Sequence, residues 1–438
     1  MQEQATRNLS LDAAVEDAER RYVAANPNSR ERFEEACRTM PGANTRSVLF
    51  YDPFPVTMVS GDGATLRDLD GHSYTDFLGE YTAGLYGHSN PVILDAVRKA
   101  LDGGVVLGGP NQYEARLAEL MCARFPSLDM VRFCNSGTEA NLMAISLARA
   151  ATGRAKILVF EGGYHGGVFY YGHGGSPINA PFPTVVGTYN DPQGAADLLR
   201  ENADDLAAII VEPMLGSGGG IPGSPEFLQA LRDGADAHGA VLIFDEVMTS
   251  RLAPGGLQEK LGIIPDLTAF GKYLGGGMTF GAFGGRADLM GRFDPRRPDA
   301  FPHSGTYNNN VLTMAAGVAG LSEVFTAEAA AALNGAGDRL RERMNDAARR
   351  TGAPALVTGS GSILGIHFQD KPINRPEDTE ATSAAARKLF HLEMNLRGFY
   401  LARRGFMSLC LPLTDRDYDR FSDAFEDFIG SYGGVLTD

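Results

Sequence analysis

Nowhere in the 438 residues is there an apolar run long enough to cross a bilayer, and the first stretch, MQEQATRNLSLDAAVEDAERR, is acidic without the apolar core of a secretory leader. The chain is therefore expected to carry neither anchor nor leader. Positive charge is scarce: 39 Lys and Arg face 54 Asp and Glu, a net charge of -15. That balance argues against nucleic acid or an anionic lipid surface as a partner. Cysteine is scarcer still. Cys37, Cys122, Cys134 and Cys410 are widely spaced, and three of them sit in apolar surroundings. This suits reduced core thiols rather than a disulfide framework or a zinc site, and points to a cytoplasmic setting. No GxGxxG follows a strand at the start of a βαβ unit, which disfavours a dinucleotide-dependent dehydrogenase. What remains is ordinary for a soluble globular protein: 44% hydrophobic and 21% charged residues, in a chain long enough for a large domain and a smaller companion.

Taken in order, Leu11 to Met40 reads as amphipathic helix interrupted at Asn26, Pro27 and Asn28. Residues 41–55 form an irregular, proline-bounded segment that holds Arg46. MVSGDGATLRDLDGHSYTDF then alternates with turn signals at Gly61-Asp62-Gly63 and Asp70-Gly71, the pattern of a β-meander outside the main sheet. From about residue 92, helical stretches alternate with short apolar runs at 131–134, 156–160, 184–187, 207–211, 241–244, 267–270 and 281–285, which predicts a mostly parallel wound sheet. A long helical stretch from Val311 to about Thr351 leads into a second α+β pattern that closes with a helix from Asp415 to Ile429. The expected organisation is an α/β large domain over residues 76–330. The smaller α+β domain combines the segment 1–75 with residues 331–438.

One stretch concentrates the chemistry, VLIFDEVMTSRLAPGGLQEKLGIIPDLTAFGKYLGGGMTFGAFGG, residues 241–285. Its first apolar run delivers Asp245 and Glu246 at its C-terminal end. Its second delivers Lys272, one of only six lysines, into a glycine-rich turn. In an open α/β sheet the carboxyl ends of the strands face the ligand crevice, so the acid and the amine meet there. A lysine amine forms a Schiff base with pyridoxal phosphate, and a carboxylate opposite keeps the pyridine nitrogen protonated. A surface lysine in a loop is the competing reading.

Four other segments are expected at the same edge. Ser136, Gly137 and Thr138 in NSGTEAN open a helix, where free amides and two hydroxyls hold a phosphate or simply cap the helix. Tyr164 and His165 in FEGGYHGG sit in a glycine-rich loop, to stack on a flat heterocycle or merely to pack. Glu212 ends a strand that Pro213 cannot continue. HSGTYNNN, residues 303–310, gives either a second phosphate contact or an N-cap.

In order and spacing, NSGTEAN, GGYHG, VEP, FDEVMTSR, GKYLGGG and HSGTYNNN resemble the class III aminotransferases of pyridoxal-phosphate fold type I, a group that includes glutamate-1-semialdehyde 2,1-aminomutase. MPGANTRSVLFYDPFP, EYTAGLYGHS, FDEVMTSRLAP, and RGF followed by LPLTD resemble more closely the bacterial β-amino acid aminotransferases that act on β-phenylalanine. The resemblance implies that Lys272 carries the pyridoxal phosphate and shuttles the proton, that Asp245 pairs with the pyridine nitrogen, and that Val247 and Tyr164 lie against the two ring faces. Ser136, Gly137 and Thr138 would hold the phosphate from one subunit and Thr306 from the other, in a homodimer, with His165 and Glu212 completing the cofactor set. Arg46 would hold the carboxylate of a β-amino acid donor. Arg404, or its neighbour Arg403, would hold the α-carboxylate of a keto acid such as 2-oxoglutarate in a ping-pong exchange. Val48, Phe50 and Tyr81 would wall the pocket. Ser217 stands where the aminomutases usually have asparagine, which disfavours the aminomutase reaction. A racemase on the same scaffold and a non-catalytic binding protein are the remaining rivals, and the retained lysine argues against the latter.

Overall fold

The strand Val241–Asp245 lies in the middle of a seven-stranded sheet in the computed structural model, which describes residues 10–436. Across the sheet the order is Met130–Cys134, Gly281–Gly285, Leu267–Gly271, Val241–Asp245, Leu206–Val211, Lys156–Phe160 and Thr184–Gly187. Only Gly281–Gly285 runs antiparallel to its neighbours. Leu206–Val211, LAAIIV, is buried along its whole length, as a strand covered on both faces must be. Register then fixes the site: Phe244 pairs with Val211 and Asp245 with Ala269, so Glu212, Asp245 and Lys272 emerge at one carboxyl edge.

The helix Gly137–Thr152 packs on this sheet through Ala140, Ala144 and Ala148, all buried. Small residues there let it approach closely. Gly281 shows how closely, because a Cβ on it would sit 2.2 Å from the carbonyl oxygen of Ser136. No side chain is tolerated at that crossing.

The meander Met58–Asp62, Thr65–Asp68, Ser73–Asp76 stands apart from the main sheet and is joined by Phe399–Tyr400, which pairs in parallel with Ser73–Asp76. Leu356–Ser360, Ile363–His367 and Phe406–Ser408 form a third sheet. The long helical stretch expected from Val311 to Thr351 is broken. Val311–Ala319 passes into a π-turn, Gly320–Val324, and Ala327–Thr351 departs at 79°. Thr326 starts the new helix by accepting from the Ala329 amide at 3.2 Å. Among the described residues no single helix is long and apolar enough to cross a membrane.

The connection at Gly79 to Thr82 runs against local preference: Gly79, Glu80, Tyr81 and Thr82 all have positive φ, 52°, 47°, 52° and 82°. Left-handed backbone costs non-glycine residues roughly 1–2 kcal/mol each, so neighbours must hold this turn. Asp76 Oδ1 accepts from the amides of Leu78 and Gly79 at 2.8 and 3.0 Å, and Ser408 Oγ accepts from the Thr82 amide at 3.1 Å. Arg251 supplies the rest. It is fully buried, and among the described residues it has no carboxylate partner. Its guanidinium donates to Ser362 Oγ at 3.1 Å, to the Thr82 carbonyl at 3.4 Å and to the Leu409 carbonyl. Burial lowers its pKa to about 10, which leaves it charged at neutral pH. Replacing it with an apolar side chain strands two buried carbonyls and a hydroxyl. Arg251→Met is therefore expected to cost about 3 kcal/mol or more and to lower the melting temperature of the cofactor-free protein by roughly 5 °C or more. A melt within a degree or so of wild type would remove this role.

Candidate active site

A cavity of about 270 Å³ opens at the carboxyl edge, lined among others by Ser136, Gly137, Thr138, Tyr164, Asp245, Val247 and Lys272. Asp245 is buried and its carboxylate is held from three sides. Oδ2 accepts from His165 Nδ1 at 2.8 Å and from Asn141 Nδ2 at 2.8 Å, and Oδ1 accepts from the Val247 amide at 3.1 Å. His165 thus stands behind the carboxylate and is itself fully buried. Asn141 was not singled out from the sequence. The signal was present, since it is a polar residue on the same helix face as Gly137, one turn on, beside the buried Ala140 and Ala144.

Lys272 leaves its strand with φ 56°, a left-handed conformation that turns the chain sharply after Gly271. Burial is the largest influence on its amine, lowering the pKa to about 8. Asp245 and Glu212 oppose that shift, while Arg404 and Arg46 add to it. About a tenth of the amine is therefore neutral and nucleophilic at pH 7, far more than for an ordinary lysine. Glu212, also buried, accepts from the amides of Tyr164 and Gly216 at 2.9 and 3.0 Å and so ties two loops to the end of its strand. Burial raises its pKa to about 7.

At the other end of the cavity Ser136 caps the helix, its Oγ accepting from the Glu139 amide at 3.1 Å. Capping and anion binding do not compete here. The hydroxyl hydrogen of Ser136 and the amides of Gly137 and Thr138 remain free of intrahelical acceptors. Thr138 Oγ1 accepts from the Gly167 amide at 3.3 Å and can likewise donate. Tyr164 is 46% exposed, with its ring edge-on to Tyr170 at 6.1 Å. Val247 packs so near the helix start that a Cβ on Gly137 would lie 2.8 Å from it. An anion-accepting helix end, an anchored carboxylate, a desolvated amine, and apolar and aromatic walls match the phosphate, pyridine nitrogen, carbonyl carbon and ring faces of pyridoxal phosphate. The donor set fits the cofactor.

Tyr81, in the left-handed turn, carries the guanidiniums of both Arg46 and Arg404 over its ring, each 5.5 Å from the centroid. Phe406 stacks on the same ring at 5.7 Å. Arg46 forms an ion pair with Glu80. Arg404 donates from Nη1 to Ser217 Oγ at 2.9 Å, whereas Arg403 points to Asp52, 3.7 Å away. Of the two adjacent arginines, Arg404 faces the site. The carbonyl of Val48 accepts from the Tyr81 hydroxyl at 3.1 Å. Phe50 lies against Phe33 with centroids 6.1 Å apart, and within one protomer none of Arg46, Val48, Phe50, Tyr81 and Arg404 lines the Lys272 cavity itself. Thr306 also lies elsewhere, exposed in a hollow with residues 105–111 that shares no wall with that cavity. In HSGTYNNN it is Asn310 that caps the following helix, and Asn308 accepts from Asn135 Nδ2 at 3.0 Å.

Residues 50–421 match the aminotransferase class-III family. A β-phenylalanine transaminase of Variovorax paradoxus is 53% identical over 429 residues, covering 98% of this chain and 99% of that protein. A glutamate-1-semialdehyde 2,1-aminomutase of Desulforudis audaxviator is 36% identical, covering 91% and 96%. Among solved structures, a β-phenylalanine aminotransferase from Variovorax paradoxus superposes with a TM-score of 0.96 at 53% identity, covering 98% of this chain and 99% of that one. With the family match spanning most of the chain, and with the fold and the site chemistry in agreement, the chain belongs to the class III aminotransferases of pyridoxal-phosphate fold type I.

Proposed function

We propose that this enzyme moves the amino group of a β-amino acid of the β-phenylalanine type to a keto acid such as 2-oxoglutarate, by a ping-pong mechanism in a cytoplasmic homodimer. The observation that carries the substrate reading is the pair of guanidiniums over Tyr81, one on each side of the chemistry's two carboxylate problems. The relative that is 53% identical is a β-phenylalanine transaminase, which supports the same reading.

Bound pyridoxal phosphate supplies the electron sink and holds the nitrogen between the two half-reactions. The chain's residues do the rest. Lys272 would anchor the cofactor until an amino donor displaces it, and its freed amine would take the proton from the carbon bearing the donor nitrogen and pass it to the cofactor within the same half-reaction, the shift running backwards with the acceptor. Asp245, oriented by His165 and Asn141, keeps the ring nitrogen protonated. Ser136, Gly137 and Thr138 hold the phosphate, with Tyr164 and Val247 on the ring faces. Arg46 receives the donor carboxylate in place of Glu80. Arg404 receives the α-carboxylate of the acceptor, and its long stem lets it withdraw when an aryl group enters. Thr306 serves the partner's phosphate. The exposed apolar side chains of Val105, Val106, Leu107 and Tyr307, which share its surface, support an interface there. Four free cysteines suit the reducing compartment.

Three measurements test this reading. Borohydride reduction of the yellow holoenzyme followed by peptide mass spectrometry is expected to place the cofactor on Lys272; Lys272→Ala should abolish turnover, and Asp245→Asn should stay folded but lose most activity. A label on another lysine would sink the anchor assignment. In separate half-reactions, Arg46→Ala should cripple deamination of β-phenylalanine, and Arg404→Ala should cripple reamination by 2-oxoglutarate more than it affects the aryl donor. If neither variant discriminates, or if glutamate-1-semialdehyde is the better substrate, the substrate reading is wrong. Sedimentation at assay concentration should show a dimer, and a fully active monomer would exclude the shared phosphate site.

A further inference from the structure

A second cavity of about 630 Å³ adjoins the site, and Arg404 and Ser217 share its wall with Glu161, Glu377 and Glu380. A half-buried arginine with an enclosed Nε would ordinarily pair with one of these carboxylates. Arg404 does not. Among the described residues no carboxylate lies within ion-pair reach of Arg404: its one polar partner is the neutral Oγ of Ser217 at 2.9 Å, its Nε has no acceptor, and its flat face rests on Tyr81 and Phe406 at 5.5 Å each. Burial depresses its pKa; Tyr81 and, from beyond hydrogen-bond reach, the Glu212 carboxylate oppose that shift without reversing it. Ser217 is itself held in place, because the loop it occupies is tied down by the Gly216 amide donating to Glu212 Oε2 at 3.0 Å. The hydroxyl therefore presents a fixed acceptor from the same strand end that carries the catalytic edge.

We propose that Ser217 is a positioning residue that latches the Arg404 guanidinium toward the substrate through an uncharged hydrogen bond, so that the acceptor's carboxylate is the first one to pair directly with Arg404. The inference rests on the reading of Arg404 as the group that binds the acceptor's carboxylate. A carboxylate at position 217 would satisfy the guanidinium permanently and shut the acceptor out. An apolar residue would let the long side chain drift among its rotamers. Serine alone of these orients without neutralising, and its single hydrogen bond is weak enough to break when an aryl donor requires Arg404 to leave.

The test is a set of holoenzyme variants assayed in both half-reactions, with 2-oxoglutarate as acceptor and β-phenylalanine as donor. Ser217→Ala is expected to raise KM for 2-oxoglutarate by about tenfold, the loss of one hydrogen bond to a charged group, with the effect falling on KM and not on the donor half-reaction. Ser217→Thr, which keeps the hydroxyl, should restore it. Ser217→Asp should raise that KM further, by roughly a hundredfold, and the defect should ease as pH falls and the new carboxylate takes up a proton, a signature that a purely structural role would not give. Arg404→Gln separates the two ideas. If Arg404→Gln raises the acceptor KM while Ser217→Ala and Ser217→Asp leave it at the wild-type value, the latch is refuted and the Arg404 reading stands. If Arg404→Gln leaves it unchanged as well, both fall.

Discussion

A charged guanidinium without a carboxylate, closed inside the protein, is the constraint on which the site depends. Arg251 spends its donors on backbone carbonyls and hydroxyls drawn from three distant parts of the chain, the Gly79–Thr82 turn, the Ser362 region and the Leu409 region. Those carbonyls have no other way to be satisfied in a dry interior. Because Arg251 sits six residues after Asp245, the same bonds fix the loop that leaves the catalytic strand. The left-handed turn it helps to hold then aims Tyr81 beneath both Arg46 and Arg404. Sequence distance is thereby collapsed into one rigid corner.

Electrostatics differs between the two adjoining cavities. Around Asp245 every partner is a directed hydrogen bond, so the carboxylate has little freedom. Around Arg404 the partners are aromatic faces and one hydroxyl, which restrain a cation without neutralising it. The first arrangement suits a group that must stay put through both half-reactions. The second suits a group that must change partners.

How much of this was legible in the sequence follows from which forces are local. Glu212, Asp245 and Lys272 could be placed together because buried parallel strands end at one edge, and each carries its functional residue just past an apolar run. Ser136 to Thr138 were legible as a helix start, and the structure shows the cap at Ser136, its Oγ accepting from the Glu139 amide. The break between Val311–Ala319 and Ala327–Thr351 was hidden because the apolar periodicity continues across it. What bends the chain there is the π-turn and a new cap at Thr326. The Tyr81 turn was hidden for a deeper reason: its residues disfavour the conformation they adopt, and the groups that enforce it, Ser408 and Arg251, lie far along the chain. Phe50 was expected as a pocket wall only from the family resemblance, and within one protomer its ring packs on Phe33.

The conformation of Tyr81 also bears on how this pocket can evolve. Positive φ is comfortable for glycine and tolerable for asparagine, and neither offers an aromatic face for guanidinium groups. Branched replacements would add strain to a turn that already needs outside support. The platform is thus nearly frozen as a variable of selection, and a lineage drifting toward larger or smaller side groups has to do so elsewhere. Met248, on the cavity wall with ordinary helical backbone angles, is such a place. Diversity of substrates within this architecture would then accumulate around a constrained ring, at positions whose backbone accepts any side chain.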